Sequence, residues 1–187
     1  YLPIPQVAGE ADLFAHQEVS QLDNETVKKF LLSILENQNI LKIALDLKTQ
    51  WHYLNKICGK QLDWCPYHDV ALMFYDVDSS LHEHTLQVLS DMLLDKKIAQ
   101  PKLSAKIKKI DFFSPEYGNY VFESADYVLR LYHILKDSLF HEHKTYVYEM
   151  LDRRLLQVLL KMEDDGITID ENSMAELNDE FARQMST

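Results

Sequence analysis

Apolar residues recur along the chain at helical spacing, broken by one short run that is apolar almost throughout. After Asp23-Asn24, either of whose side chains can cap a helix, the spacing predicts an amphipathic helix through Leu35. Residues 40–45 are mostly apolar and too few for an ordinary helix, so they predict a buried parallel strand. A second short helix is expected over 48–56, ended by Gly59.

The remainder of the chain is predicted to be mainly helical, with capping residues that mark where helices begin. An edge strand or an arriving loop is expected at 1–4, and a strand there would open the chain with a strand-helix-strand unit. The later predicted helices are 70–77 behind Asp69, 84–94, one opened by Ser114-Pro115, one from Val147 to Met162 that stops at Gly166, and one capped by Asp170.

Composition limits the class of protein. The 187 residues are 47% hydrophobic with 4 Gly and 2 Cys, which excludes collagen, a disordered chain and a disulfide-stapled mini-protein. Cys58 and Cys65 are expected to be reduced structural thiols, and the lack of a long apolar stretch or leader pattern predicts a cytoplasmic protein without a membrane partner. The net charge of −11 predicts weak binding to nucleic acid by the isolated chain.

Two charged features are candidates for binding. Residues 96–109 contain lysines and no acid, and they suggest either contact with a DNA backbone or a solvated loop. His82-Glu83-His84 and His141-Glu142-His143 lack the spacing that places two imidazoles on one helix face, so they predict no metal site. The lysines that we assign to DNA binding are Lys102, Lys106, Lys108 and Lys109.

Three stretches carry further motifs: ILKIALDLKTQW at 40–51, YVFESAD at 120–126, and a segment over 147–170 with VYEML, ME and GI. With Asp69 and the opening YLPI, they resemble the 3′-5′ exonuclease domain of bacterial DNA polymerase I, a family A DNA polymerase. The family motifs read VLKIGQNLKYD, YAAEDAD and MExxGIxVD. The resemblance covers essentially the whole chain and is strongest to the alphaproteobacterial type.

The resemblance implies an α/β fold of the ribonuclease H-like (DnaQ-like) exonuclease class, helix-rich, with the first strands of the sheet missing from this chain. It implies a degenerate 3′-5′ exonuclease-like domain over 1–145 and the start of the polymerase domain over 146–187. The parent protein would be a DNA-directed DNA polymerase of replication and repair that uses Mg²⁺. Its partners would be DNA and the remainder of the polymerase chain, and because residue 1 is Tyr the chain is expected to be partial.

In that family, carboxylates of three motifs hold two divalent metals, since hard cations prefer anionic oxygens. Here the second-motif aspartate falls on Gln50 and the third-motif aspartate on Ser124, both neutral. Tyr120 and Asp126 are retained from the third motif. The resemblance therefore predicts no catalytic residue, metal or cofactor in this fragment, and an inactive domain that serves as a scaffold.

Two alternatives stay open at this stage, and with them the question of whether the fragment is an enzyme. It would be an active metal-dependent 3′-5′ exonuclease if acids upstream and an unusual ligand set, with Glu123 and Asp126 as the nearby candidates, supplied the metal ligands. It would be a non-catalytic interaction module if its acidic, helical surface bound a partner protein.

Overall fold

The computed structural model describes residues 23–81, 83–98 and 114–185. Within them the chain is mainly helical, with a small parallel sheet. The elements in chain order are α1 Asn24–Leu35, β1 Lys42–Ala44, α2 Leu47–Cys58, β2 Tyr67–Asp69, α3 Val70–Val77, α4 Leu86–Leu94, α5 Pro115–His141, α6 Thr145–Val147, a π-helical turn Tyr148–Asp152, α7 Arg153–Asp165 and α8 Glu171–Met185.

The predicted capping residues begin the helices as expected. The Asp23 carboxylate accepts from the Thr26 amide at 3.2 Å, and the Ser114 hydroxyl accepts from the Tyr117 amide at 3.2 Å. These side chains replace the bonds that first-turn amides cannot make within a helix. Gly59 and Gly166 end α2 and α7 with φ of 69° and 68°, a backbone region that costs glycine little.

The predicted strand at 40–45 is confirmed as β1, and it pairs in parallel with β2, which the sequence pattern did not predict. Lys42, Ile43 and Ala44 lie opposite Tyr67, His68 and Asp69. The helix α2 connects the two strands. The strand β2 has three residues and runs directly into α3, so it is too short to show an alternating pattern.

The main core lies where α3 and α4 pack against α5, with Tyr148 inserted from the π-helical turn. The buried side chains of this core are Val70, Met73, Phe74, Leu86, Leu89, Ile98, Leu131, Tyr132, Leu135, Leu139 and Tyr148. A smaller aromatic cluster lies under α2, where the Trp51 ring centroid is 5.5 Å from that of Trp64 and 5.4 Å from that of Tyr67. The Trp51 indole donates to the Leu62 carbonyl at 3.0 Å, which satisfies its buried N–H.

The chain divides into two compact units, Tyr1–Leu156 and Gln157–Thr187. The second unit contains most of α7 and all of α8, whose apolar stripe is exposed. The helix predicted over 147–162 is present but begins with a π-helical turn, which the periodicity did not indicate. The domain boundary proposed at 145/146 rests on the resemblance and stays a prediction. The edge strand predicted at 1–4 lies outside the described residues.

Candidate functional site

The second-motif segment lies at the carboxyl end of β1 and the start of α2. Asp46 occupies the left-handed region, with φ 54° and ψ 60°, and ends the strand in a sharp turn. Gln50 is in the first turn of α2, exposed, and its amide Nε2 donates to the Leu45 carbonyl at 2.7 Å. The Gln50 side chain is thus bonded to the backbone of its own turn.

The third-motif segment lies in the first half of α5. The Ser124 hydroxyl donates to the Tyr120 carbonyl one turn earlier, at 2.6 Å. Tyr120 packs partly buried against the main core. Asp126 is exposed and forms an ion pair with Arg130 at 2.7 Å, and Glu123 is also exposed. The helix therefore directs the retained acid to a surface pair of modest energetic weight.

These residues do not fit a site for two divalent metals. Gln50 and Ser124 offer no negative charge, and each donates a hydrogen bond to a carbonyl of its own segment. Within residues 23–81, 83–98 and 114–185, no group of three or more His, Cys, Asp or Glu side chains is placed to hold a metal ion. Mg²⁺ is normally held through carboxylates, which these two positions lack.

The polar centre of this region is instead Asp69, at the junction of β2 and α3. Its carboxylate is buried, and it accepts from the amides of Asp46 at 3.1 Å, Leu47 at 2.8 Å and Ala71 at 2.9 Å. Burial raises the pKa of Asp69, and the amide bonds oppose that increase. The left-handed turn at Asp46 directs the first two amides at the carboxylate.

The sequence predicted Asp69 only as the cap of α3. Its second role, as acceptor for the first amides of α2, depends on the parallel pairing of β1 with β2, because this pairing places the two strand ends side by side. The signal available in the sequence was an acidic residue shortly after one β-former, Tyr67, which is weak by itself.

Tyr148 joins the π-helical turn to the same strand. Its phenol oxygen accepts from the Asp69 amide at 3.2 Å and lies 3.0 Å from Nδ1 of His68. The two rings are stacked, with centroids 5.6 Å apart. Burial raises the pKa of the Tyr148 phenol, and burial together with the charges of Arg153 and Lys136 lowers the pKa of His68 to about 4.

A second link between β2 and the helical segment involves Arg153. The Tyr67 hydroxyl donates to the Arg153 carbonyl at 2.9 Å, and the Arg153 guanidinium donates to the Tyr67 carbonyl at 3.3 Å. The guanidinium also pairs with Glu149. Burial raises the pKa of Tyr67 to about 12, so this hydroxyl stays a donor at neutral pH.

The lysines predicted to contact DNA, Lys102, Lys106, Lys108 and Lys109, lie outside the described residues, and so does His82. Their role stays a prediction. In the part of the chain that the structure describes, no helix has the length and apolar character needed to cross a bilayer.

In sequence and in fold, this chain is similar to one class of proteins, the bacterial DNA polymerases. The chain has the fold of part of a solved structure, the POL domain of Pol1 from M. smegmatis in complex with DNA primer-template and dNTP. The TM-score is 0.69 at 23% identity, over 90% of this chain and 26% of that chain. No protein-family model matches the chain.

Within this class, the curated sequence relatives are DNA polymerase I proteins. That of Rhizobium leguminosarum is 29% identical over 191 residues, and that of Caldicellulosiruptor bescii is 24% identical over 184 residues. Each alignment covers 98% of this chain, but only 18% and 20% of the respective relatives. The resemblance to bacterial DNA polymerase I is thereby confirmed, for a segment about one fifth as long as those proteins.

Proposed function

We propose that this chain is a segment of a bacterial DNA polymerase I in which a degenerate 3′-5′ exonuclease-like domain, residues 1–145, serves as a scaffold. Residues 146–187 would begin the polymerase domain. The similarity to two DNA polymerase I sequences over nearly the whole chain supports the assignment to this kind of polymerase. The ribonuclease H-like architecture is part of the proposal, supported by the parallel pair of strands connected by α2.

The proposed inactivity rests on the side chains at the two positions where the family has aspartates, Gln50 and Ser124. The Gln50 amide donates to Leu45, and the Ser124 hydroxyl donates to Tyr120. Neither can supply the anionic oxygens on which a two-metal mechanism depends. Asp126, the retained acid of the third motif, is paired with Arg130 on the surface.

The scaffold role is supported by the polar contacts that connect the carboxyl ends of the strands to the helices around them. The Asp69 carboxylate accepts hydrogen bonds from amides at the starts of α2 and α3. The Tyr148 hydroxyl accepts a hydrogen bond from the Asp69 amide. Buried groups with satisfied hydrogen bonds fix a single arrangement of the backbone. The region that would hold metals in an active exonuclease therefore holds helices together here.

A nuclease assay tests the proposed inactivity. The full chain is incubated with 3′-labelled single-stranded DNA and Mg²⁺ or Mn²⁺, and we expect no release of nucleotides from the 3′ end. Asp46→Ala and Glu123→Ala serve as matched variants, because Asp46 opens the turn that leads to Gln50 and Glu123 directly precedes Ser124. Metal-dependent cleavage that disappears in either variant would show that the domain is an active exonuclease.

For the parent protein we propose DNA-directed DNA synthesis in replication and repair, in the cytoplasm, with Mg²⁺ as cofactor. DNA and the remainder of the polymerase chain would be its partners. The similar M. smegmatis structure, a polymerase domain with primer-template and dNTP, supports this proposal. The test is primer extension by the longest protein that contains this chain. Failure to extend a primer, under conditions in which the Rhizobium relative does so, would contradict it.

A further inference from the structure

Two carboxylates meet where the π-helical turn packs against α3. Asp76 lies near the end of α3, and Asp152 is the last residue of the π-helical turn. The two side chains lie within hydrogen-bonding reach of one another. The Asp76 Oδ2 atom is buried, and within the described residues no hydrogen-bond donor reaches it.

A buried acceptor without a donor is costly, and so is a pair of negative charges in one partly buried space. One shared proton removes the repulsion between the two charges, since a protonated carboxyl group donates to the neighbouring carboxylate. The nearest compensating cation does not remove this repulsion. Lys144, from the connection between α5 and α6, donates its ammonium to the Val77 carbonyl at 2.9 Å and acts on Asp76 only through its charge.

We propose that Asp76 and Asp152 share one proton and form a pH-sensitive clasp that holds the π-helical turn against α3. The clasp is closed while the proton is present, because an O–H···O bond then joins the two elements. Loss of the proton leaves two like charges facing each other across the contact. The clasp thereby makes the packing of the segment that carries Tyr148 depend on pH.

The titration of Asp76 agrees with this geometry. Burial, the hydrogen bond with Asp152 and the Asp152 charge raise the pKa of Asp76 to about 7, and the charge of Lys144 acts in the opposite direction. A group whose pKa is raised in the folded state stabilises it fully below the unfolded pKa, about 4 for an aspartate. This contribution is lost as the pH rises through about 7.

The test compares Asp76→Asn with wild type by thermal unfolding of the full chain between pH 5 and pH 8. Asparagine donates an N–H to Asp152 at every pH, so it mimics the closed clasp. We expect equal melting temperatures at pH 5 and a melting temperature about 3 °C higher for the variant at pH 8. Asp78→Asn is the matched control, because Asp78 lies two residues further on, is exposed to solvent and instead accepts from the Ser80 amide.

His68 also titrates between pH 4 and pH 7, with the opposite sign, because its pKa is lowered. Its contribution is common to wild type and both variants, so it cancels in the comparison. A difference between Asp76→Asn and wild type that is the same at pH 5 and pH 8 would overturn the clasp.

A direct measurement does not depend on the stability of any variant. The ¹³C shift of the Asp76 side-chain carboxyl in wild type should titrate near neutral pH. In Asp152→Asn it should titrate at least two units lower, because the amide introduced by this substitution donates to the ionised Asp76. Titration of wild-type Asp76 near its ordinary value of about 4 would refute the shared proton.

Discussion

A single buried side chain, Asp69, determines how two helices begin. Its carboxylate accepts hydrogen bonds from amides in the first residues of both α2 and α3, so it caps both helices. The left-handed conformation of Asp46 is explained by the same contact, because it turns the chain so that two successive amides face Asp69. This conformation is uncommon for non-glycine residues, although aspartate adopts it more readily than most, and the bonds to Asp69 favour it here.

Replacing Asp69 with alanine should lower the free energy of unfolding by about 3 kcal/mol, because buried amides of α2 and α3 lose their acceptor together. Asp23→Ala is the control, since Asp23 caps α1 at an exposed site through a single amide. We expect that control to cost about 1 kcal/mol. Urea unfolding monitored by circular dichroism gives both values, and equal losses would contradict the double role of Asp69.

At the scale of elements, the third-motif residues of α5 make the contacts of an ordinary structural helix. Ser124 and Ser138 lie on this helix and make the same contact, each donating to the carbonyl four residues earlier, at 2.6 and 3.0 Å. A serine that bonds in this way makes the helix slightly less stable than alanine would at the same position. The bond of Ser124 therefore has the form of an ordinary helix contact, without a partner from the second-motif segment.

Ser124→Ala should raise the free energy of unfolding by about 0.5 kcal/mol or leave it unchanged, since alanine has the higher helix propensity. Ser138→Ala, with the same contact further along the helix, should behave alike. Differential scanning calorimetry on both variants measures the effect. A loss of more than about 1.5 kcal/mol in Ser124→Ala alone would show that Ser124 supports something beyond its own helix turn.

The sequence predicted the elements that carry strong local signals and missed those created by tertiary contact. Asp23, Asp69 and Ser114 were sufficient to place helix starts, because capping depends on a few neighbouring residues. The strand β2 was missed, since three residues carry no readable period. The double bonding of Asp69 and the contact of Asp76 with Asp152 could not be predicted, because each joins segments far apart in the chain.

At the scale of the whole molecule, charge decides what the isolated chain can bind. The net charge of −11 repels a phosphate backbone at long range, and the lysines between 96 and 109 are the main local exception. An inactive scaffold has no need to grip a DNA end, so this acidity is consistent with the function that we propose.

The isolated chain should therefore bind single-stranded DNA with a dissociation constant weaker than about 10⁻⁴ M at physiological salt. Fluorescence anisotropy with a labelled oligonucleotide measures it. Replacing Lys102, Lys106, Lys108 and Lys109 with glutamine tests the lysine segment, because any binding seen at low salt should then disappear. Tight, salt-resistant binding by wild type would contradict the electrostatic argument.

The π-helical turn also has a consequence for chain length. Tyr148 and Leu156 are both buried, although a spacing of eight residues exceeds two turns of a regular α-helix. The wider turn between them accommodates the surplus residue, so both side chains return to the same face. The turn is thus equivalent to one extra residue accommodated between two buried side chains, which keeps the buried face of the helix continuous.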